Sequence, residues 1–227
     1  MKFLTNEPAG LVGSTLVISD VHVGLEYDLR AHGMNVPSQT GKLAKLATRL
    51  VRENKADRVA VLGDLKHSII GTSWPEKHEV KQFIEAIRAA GAEVMLIKGN
   101  HDAWIERFSD ITLAPAQGTR VRDSWLAHGH ARPPVEAFEC EEIVFGHAHP
   151  TVVFEDSLGG KRSERAWLRF EQNKPPLVIV PAFNPLLGGA DARDVRFAWV
   201  RGPPSAYLLD GTPLGKIRQK KAKSKTS

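Results

Sequence analysis

Five short stretches of this chain place carboxylates, an amide or imidazoles directly after apolar runs, and these are the residues that could do chemistry. Leu16-Val17-Ile18-Ser19 leads into Asp20, Val61-Leu62-Gly63 into Asp64, Leu96-Ile97-Lys98-Gly99 into Asn100, Trp125-Leu126-Ala127 into His128, and Val144-Phe145-Gly146 into His147. Each run reads as the end of a buried strand, and binding sites in open α/β sheets gather where strands end at their carboxyl edge. Five strand ends can therefore converge on one site. Asp20 and His22, like His147 and His149, are two residues apart; in extended backbone such residues share a face, so each pair can reach one ligand. Gly63, Gly99 and Gly146 stand immediately before ligand candidates, where a missing Cβ lets the chain turn tightly near an ion or a phosphate. Oxygen donors mixed with imidazole nitrogen suit manganese, iron or zinc better than a thiolate-selecting metal or calcium alone. A single D-x-H or G-D is common by chance. The ordered set D-x-H, G-D, G-N-H-D, H-G-H and G-H-x-H is not.

The elements that must hold these residues can be read from periodicity. Thr15 to Ser19, Arg58 to Leu62 and Glu93 to Ile97 are predicted as buried strands. Residues 40 to 53 (Leu43, Leu46, Ala47, Leu50, Val51) and 76 to 90 (Val80, Phe83, Ile84, Ile87) form amphipathic helices, the second stopping at Gly91. From about 111 the pattern becomes strand-rich, with strands predicted near 111–114, 119–128, 142–146, 151–154, 165–170, 177–181, 195–200 and 205–209. Strand–helix repeats followed by a strand-rich half predict an α/β sandwich. Its 227 residues, 42% of them apolar, can bury a full core. No repeat or linker divides them, so one domain is expected over 1 to 210, with a flexible basic tail over 211 to 227.

In order and spacing these motifs resemble the calcineurin-like metallophosphoesterase superfamily, from about residue 14 to 150. The stretch from Ile18 to Glu26, the Gly63-Asp64-Leu65-Lys66-His67 segment and the short chain resemble small phosphoesterases related to double-strand-break repair nucleases, including those associated with DNA ligases. The resemblance implies a sandwich of two mixed β-sheets flanked by helices. It implies two divalent metal ions, manganese first, with iron, zinc or nickel as alternatives. One ion would be held by Asp20, His22, Asp64 and His149, the other by Asp64, Asn100, His128 and His147, with Asp64 bridging. His101 would sit beside the substrate as general acid, and Asp102 would orient it. Two ions bring +4 against −2 from Asp20 and Asp64, a positive site in which a bridging hydroxide could attack phosphorus in line. His128 and His130 compete for one ligand position; His128 follows the strand directly and is preferred, leaving His130 either to support a ligand or to face substrate. His67 is either a substrate contact or a structural hydrogen-bond partner.

The implied reaction is phosphodiester hydrolysis, with DNA or RNA as substrate and enzymes of DNA repair or ligation as partners. Two alternatives stay open: a small-molecule phosphomonoesterase or cyclic-nucleotide phosphodiesterase, and, more remotely, a protein-binding scaffold. Charge discriminates little. The formal charge of +5 resides in residues 216 to 227, which hold Lys216, Arg218, Lys220, Lys221, Lys223 and Lys225 and no acid; the other 215 residues carry 5 − 6 = −1. A basic tail serves equally for phosphate attraction and for solubility. Apolar runs are far shorter than the roughly 20 residues of a membrane span, and the amino-terminal residues lack the pattern of a cleaved leader. A cytoplasmic protein with no membrane contact is expected. Cys140 is the one cysteine, without a disulfide or zinc partner.

Overall fold

A computed structural model describes residues 1–71, 73–108 and 111–220. Its strands are β1 (Lys2–Phe3), β2 (Gly10–Val12), β3 (Thr15–Ile18), β4 (Arg58–Val61), β5 (Glu93–Ile97), β6 (Thr112–Ala114), β7 (Thr119–Val121), β8 (Ser124–Leu126), β9 (Glu142–Phe145), β10 (Pro150–Glu155), β11 (Lys161–Phe170), β12 (Leu177–Ile179), β13 (Ala190–Asp191), β14 (Ser205–Leu208) and β15 (Pro213–Lys216). The helices are α1 (Leu25–Ala31), α2 (Thr40–Glu53) and α3 (Trp74–Ala89). Among the described residues β1 to β6 form one sheet in sequence order. The other runs β13-β10-β11-β12-β9-β8-β7, with β14 and β15 branching from β11. Both sheets mix parallel and antiparallel pairs, so the expected sandwich of two mixed sheets is the fold.

Side-chain alternation explains why the sheets stack. In β3, Leu16 and Ile18 face the helices while Val17 faces the other sheet; β4 and β5 repeat this with Val59/Ala60/Val61 and Val94/Met95/Leu96. Helices α2 and α3 bury Leu43, Ala47, Leu50, Val80, Phe83 and Ile87 against that outer face. In the second sheet Val144 and Val178 point inward, and Ile143, Phe145, Leu177 and Ile179 point outward. No helix covers this outward face among the described residues. A 3-10 turn at Val135–Glu139 and the irregular stretch through Ala192, Val195, Phe197 and Trp199 do so instead.

That stretch corrects the strand expected at 195–200. Alternation of Val195, Phe197 and Trp199 reflects burial, but the backbone pairs with no strand. The expected strand 119–128 is a hairpin, β7 and β8, turning at Arg122, whose φ is 52°. Segment 24–37, a long connection after the Asp20 and His22 pair, opens with α1. The boundary at 210 also shifts: β15 pairs with β14, Ile217 N donates to Pro204 O and Lys220 N to Arg193 O, so residues 211 to 220 lie on the domain. Residues 221 to 227 of the expected tail lie outside the described residues. No described helix is long and apolar enough to cross a membrane.

Trp167 sits between the sheets, 1% exposed and stacked on Phe3 at 4.2 Å between ring centroids; its Nε1 is buried without a hydrogen-bond partner. Truncation should cost the large transfer and cavity penalty of a buried aromatic, whereas phenylalanine keeps the stack and removes an unpaired donor. In urea unfolding, Trp167→Ala should lose about 3–5 kcal/mol and Trp167→Phe clearly less.

Candidate metal centre

Parallel pairing sets the ligand candidates side by side. β3, β4 and β5 are neighbours, so Asp20, Asp64 and Asn100 leave the sheet at the same edge. β8 and β9 are neighbours in the second sheet and bring His128 and His147 to meet them. The loops are stitched together: His22 N donates to Asp64 O (2.9 Å), Gly146 N to His128 O (2.8 Å), and His147 N to Asp20 Oδ2 (3.1 Å).

The side chains converge in two groups. Asp20, His22 and His149 bring one donor atom each to within 4.8 Å of one another, and so do Asp64, His128 and His147. Asp64 Oδ2 joins the groups, lying 3.5 Å from His22 Nε2 and 3.2 Å from His128 Nε2, while its Oδ1 accepts from His101 N at 2.9 Å. Asn100 Oδ1 and His147 Nδ1 each lie 3.1 Å from His128 Nε2. One imidazole nitrogen cannot satisfy three such partners.

The first group fits a cation for a plainer reason. Asp20 Oδ1, His22 Nε2 and His149 Nε2 are buried without a hydrogen bond, although His149 Nε2 approaches Asp20 Oδ1 to 3.0 Å. Unpaired buried polar atoms are costly; facing one another out of hydrogen-bond alignment, they are arranged as ligands around a positive centre. Protonation shows the same demand. Burial alone would raise Asp64, but His128 and His22 outweigh it and hold the carboxyl below its usual range. Burial would lower His128, yet contact with Asp64 and the charge of Asp20 push it up to about 9, while burial and the charge of His128 pull His147 down to about 4. Without a cation, the carboxylates keep a proton on the imidazole between them.

Backbone geometry enforces this convergence. Asp20, His22, Asp64, His147 and His149 all have φ between 43° and 68°, a region non-glycine residues rarely enter and which costs on the order of 1–3 kcal/mol each. The D-x-H and H-x-H pairs therefore reach one site through left-handed backbone, not through the extended backbone expected from their spacing. Three glycines are needed for contact, Gly63 among them, where a Cβ would lie 2.3 Å from His128 Nδ1. A Cβ on Gly99 would lie 2.2 Å from Asp64 Oδ1, and one on Gly146 would lie 1.7 Å from Ser19 Oγ.

The remaining candidates separate by position. His130 is exposed, its ring 5.2 Å from that of His128, and lies outside both donor groups. The imidazole of His101 lies outside the two groups that share Asp64, but with His22 and His67 it forms a third cluster. Its Nδ1–H donates to the His67 carbonyl, which leaves Nε2 free. His67 is a hub: its Nδ1 lies 3.2 Å from His22 Nδ1 and its Nε2 3.8 Å from Asp28 Oδ2. Burial and the charges of His22 and His101 lower its pKa; a neutral His67 that accepts the His22 Nδ1–H would leave His22 Nε2 available to a cation.

The expectation that Asp102 orients His101 is corrected: among the described residues its carboxylate makes no bond to that imidazole. It accepts from the backbone N–H groups of Asp64 (2.8 Å), Leu65 (2.9 Å), Lys66 (3.4 Å) and Gly99 (2.8 Å), fastening two ligand loops together. Asp102 is thus a positioning residue.

Several supporting residues give no signal in the sequence. Buried Asn184 donates to Val21 O and clasps the Asp20 loop, and Ser19 donates to Asp20 Oδ2. Buried Lys66 donates to Gly71 O and Ser68 O. Glu76 accepts from His67 N and Ser68 N; its spacing from Ser73 is the one available clue, since Ser73 caps α3 through Glu76 N. Trp74 and Trp104 are exposed, the first stacked on His78 and the second beneath Arg107. Arg162 pairs with Glu164, and Arg165 donates to Ala182 O.

The model of the calcineurin-like phosphoesterase family matches residues 13–208. The chain belongs to this family. It is therefore a hydrolase of phosphoester bonds; the family implies divalent metal ions, and the donor groups described above could hold them. Among solved structures, this phosphoesterase is similar to the Pseudomonas putida nuclease MPE, with 20% identity and a TM-score of 0.63, covering 94% of this chain and 98% of that one. It is also similar to YfcE, a phosphoesterase from E. coli, with 14% identity and a TM-score of 0.46, covering 91% and 99%. No curated protein matches the sequence.

Asp102→Asn tests the positioning role. An amide cannot accept with both heads, so at least one buried N–H is stranded at about 1–3 kcal/mol. The purified variant should unfold at lower urea and bind less metal at both groups, whereas His130→Ala should keep full metal content by elemental analysis.

Proposed function

We propose that this phosphoesterase hydrolyses phosphodiesters in nucleic acid or nucleotides with two divalent metal ions, manganese being the first choice. The observation that carries the reading is Asp64 Oδ2, shared between two sets of donors on one open edge of the sandwich. Asp20, His22, Asp64 and His149 would hold one ion, and Asp64, Asn100, His128 and His147 the other. When bound, the ions supply charge that neutralises phosphoryl oxygens and makes a water acidic enough to attack. The oxygen and imidazole set also admits iron, zinc or nickel. The diester preference is supported by the exposure of the edge: His147 and His149 are half-buried and His130 exposed, leaving room for a chain on both sides of a phosphate. The nuclease named among the similar structures adds that class of substrate to the proposal.

The chain's own residues do the rest. Asp102 and Gly99 hold the bridging carboxylate against the sheet edge. Neutral His67, through its ring and its carbonyl, sets which nitrogens of His22 and His101 face inward. His101 holds a proton at Nε2 and donates it to the departing alkoxide, a role worth roughly 10²- to 10⁴-fold in rate.

With manganese supplied, bis(p-nitrophenyl) phosphate and short oligonucleotides should be turned over faster than p-nitrophenyl phosphate. Asp64→Asn should abolish all turnover and weaken both ions together. A higher kcat/KM on the monoester would replace the diesterase reading with a phosphomonoesterase.

His101→Ala should retain bound metal. Its kcat should fall far more on a nucleotide diester than on a p-nitrophenyl ester, because p-nitrophenolate leaves without a proton while an alkoxide does not. Lost metal would make His101 a ligand, and equal losses on both substrates would remove the acid role.

A further inference from the structure

A cleft of about 930 Å³ opens beside the metal centre, lined in part by His130, Arg132, Phe138, Lys174, Trp199 and Arg201. A smaller cleft that includes His147 shares Gly129, His130, Arg196 and Phe197 with it, so the two run together from a metal-ligand candidate outward. The size is at the upper end of the roughly 300–1000 Å³ of ordinary ligand sites.

The lining has a marked chemistry. It contains four cations, Arg132, Lys174, Arg196 and Arg201, and no carboxylate. Among the described residues none of the four forms an ion pair; Arg196 donates only to the carbonyls of Arg193, Asp194 and Lys220. The one acid of the smaller cleft, Asp194, is paired with Lys220. Four like charges facing one hollow repel one another, and an anion relieves that repulsion.

Beside the cations stand aromatic faces that are half-exposed yet immobilised. Phe197 and Trp199 each lie 5.0 Å from the ring of buried Phe145, which ends β9 just before His147. Asn173 brackets the backbone of Arg201, accepting from its N–H and donating to its carbonyl. Cations that track a backbone, interleaved with rigid rings, make up the binding chemistry of single-stranded nucleic acid; each base stacked on an aromatic side chain is worth about 1–3 kcal/mol. A duplex, whose bases are already stacked, gains nothing from such rings.

We propose that this cleft is the track for a single-stranded polynucleotide whose scissile phosphate lies at the metal centre, with Arg132, Lys174 and Arg201 on backbone phosphates and Trp199 under a base. The assignment rests on the phosphodiester reading above. It names the surface outside the metal centre that supplies affinity for strand length.

The test compares kcat/KM for a thymidine dinucleotide, a twelve-residue oligothymidylate, its uridylate counterpart, a twelve-base-pair duplex and bis(p-nitrophenyl) phosphate, over a range of salt. For the wild type, the single-stranded twelve-mers should exceed the dinucleotide and the duplex at least tenfold, and the thymidylate and uridylate arms tell DNA from RNA. In Arg132→Ala/Lys174→Ala/Arg201→Ala, the ratio of oligonucleotide to small-diester kcat/KM should fall at least tenfold, through KM. The slope of log kcat/KM against log salt should flatten by about 2, at roughly 0.7 for each single-strand phosphate that the three cations no longer neutralise. Trp199→Leu should lower the same ratio without changing the slope. Unchanged metal content and thermal unfolding of the variants show that the fold is kept. If the wild type cleaves oligonucleotides and the triple variant does so with the same ratio and slope, the cleft assignment is wrong while the diesterase reading stands. If the wild type turns over only the small diester, the nucleic-acid reading fails and takes the cleft with it.

Discussion

Asp64 can serve two sets of donors because a second carboxyl group, that of Asp102, holds its backbone and that of the two residues after it. Asp102 accepts from the backbone of Asp64, Leu65, Lys66 and Gly99, so the loops after β4 and β5 form one body. Gly99 can then press against Asp64 without a Cβ between them, and His101 N reaches Asp64 Oδ1. Neighbouring loops add to this body: the Asp20 loop pairs with it through His22 N, and Leu62 O takes His128 Nδ1 at 2.6 Å. The latter bond fixes which imidazole nitrogen faces the centre. The ligand positions of both sheets thus depend on one buried carboxyl group accepting backbone hydrogen bonds.

Such a frame is costly to build. It combines left-handed backbone at five candidate ligand positions with three buried atoms, Asp20 Oδ1, His22 Nε2 and His149 Nε2, that lack hydrogen bonds. Strain and unpaired polar atoms persist only where the surroundings over-determine them. Here the surroundings are two flush hydrophobic layers and stitched loops, and a bound cation would return part of the cost.

The sequence is most legible where one element carries one message. Strands β3, β4 and β5 can be placed because both faces are buried and the apolar run is unbroken, helices α2 and α3 because only one face is buried, and the ligand candidates because each follows an apolar run. Asp20 and His22 do bring donor atoms to within 4.8 Å of each other, but not through extended backbone; φ values of 55° and 43° leave no periodic trace. The partners of Asp102 escape a reading of motifs because its four donors are main-chain atoms, which no side-chain pattern records. His67 falls between two readings since its ring and its carbonyl serve different residues. The strand expected at 195–200 fails because alternating burial does not require pairing.

That irregular stretch has an evolutionary consequence. Chemistry and recognition rest on different kinds of scaffold: the ligand loops are bound to one another by backbone hydrogen bonds, whereas the wall carrying Arg196, Phe197 and Trp199 lies on Phe145 mainly through ring contacts. Insertions or exchanges between 192 and 201 can reshape that wall without breaking a β-ladder or moving a ligand. One reaction centre could thus be fitted with successive surfaces, and a lineage could change what it holds long before it changes what it does.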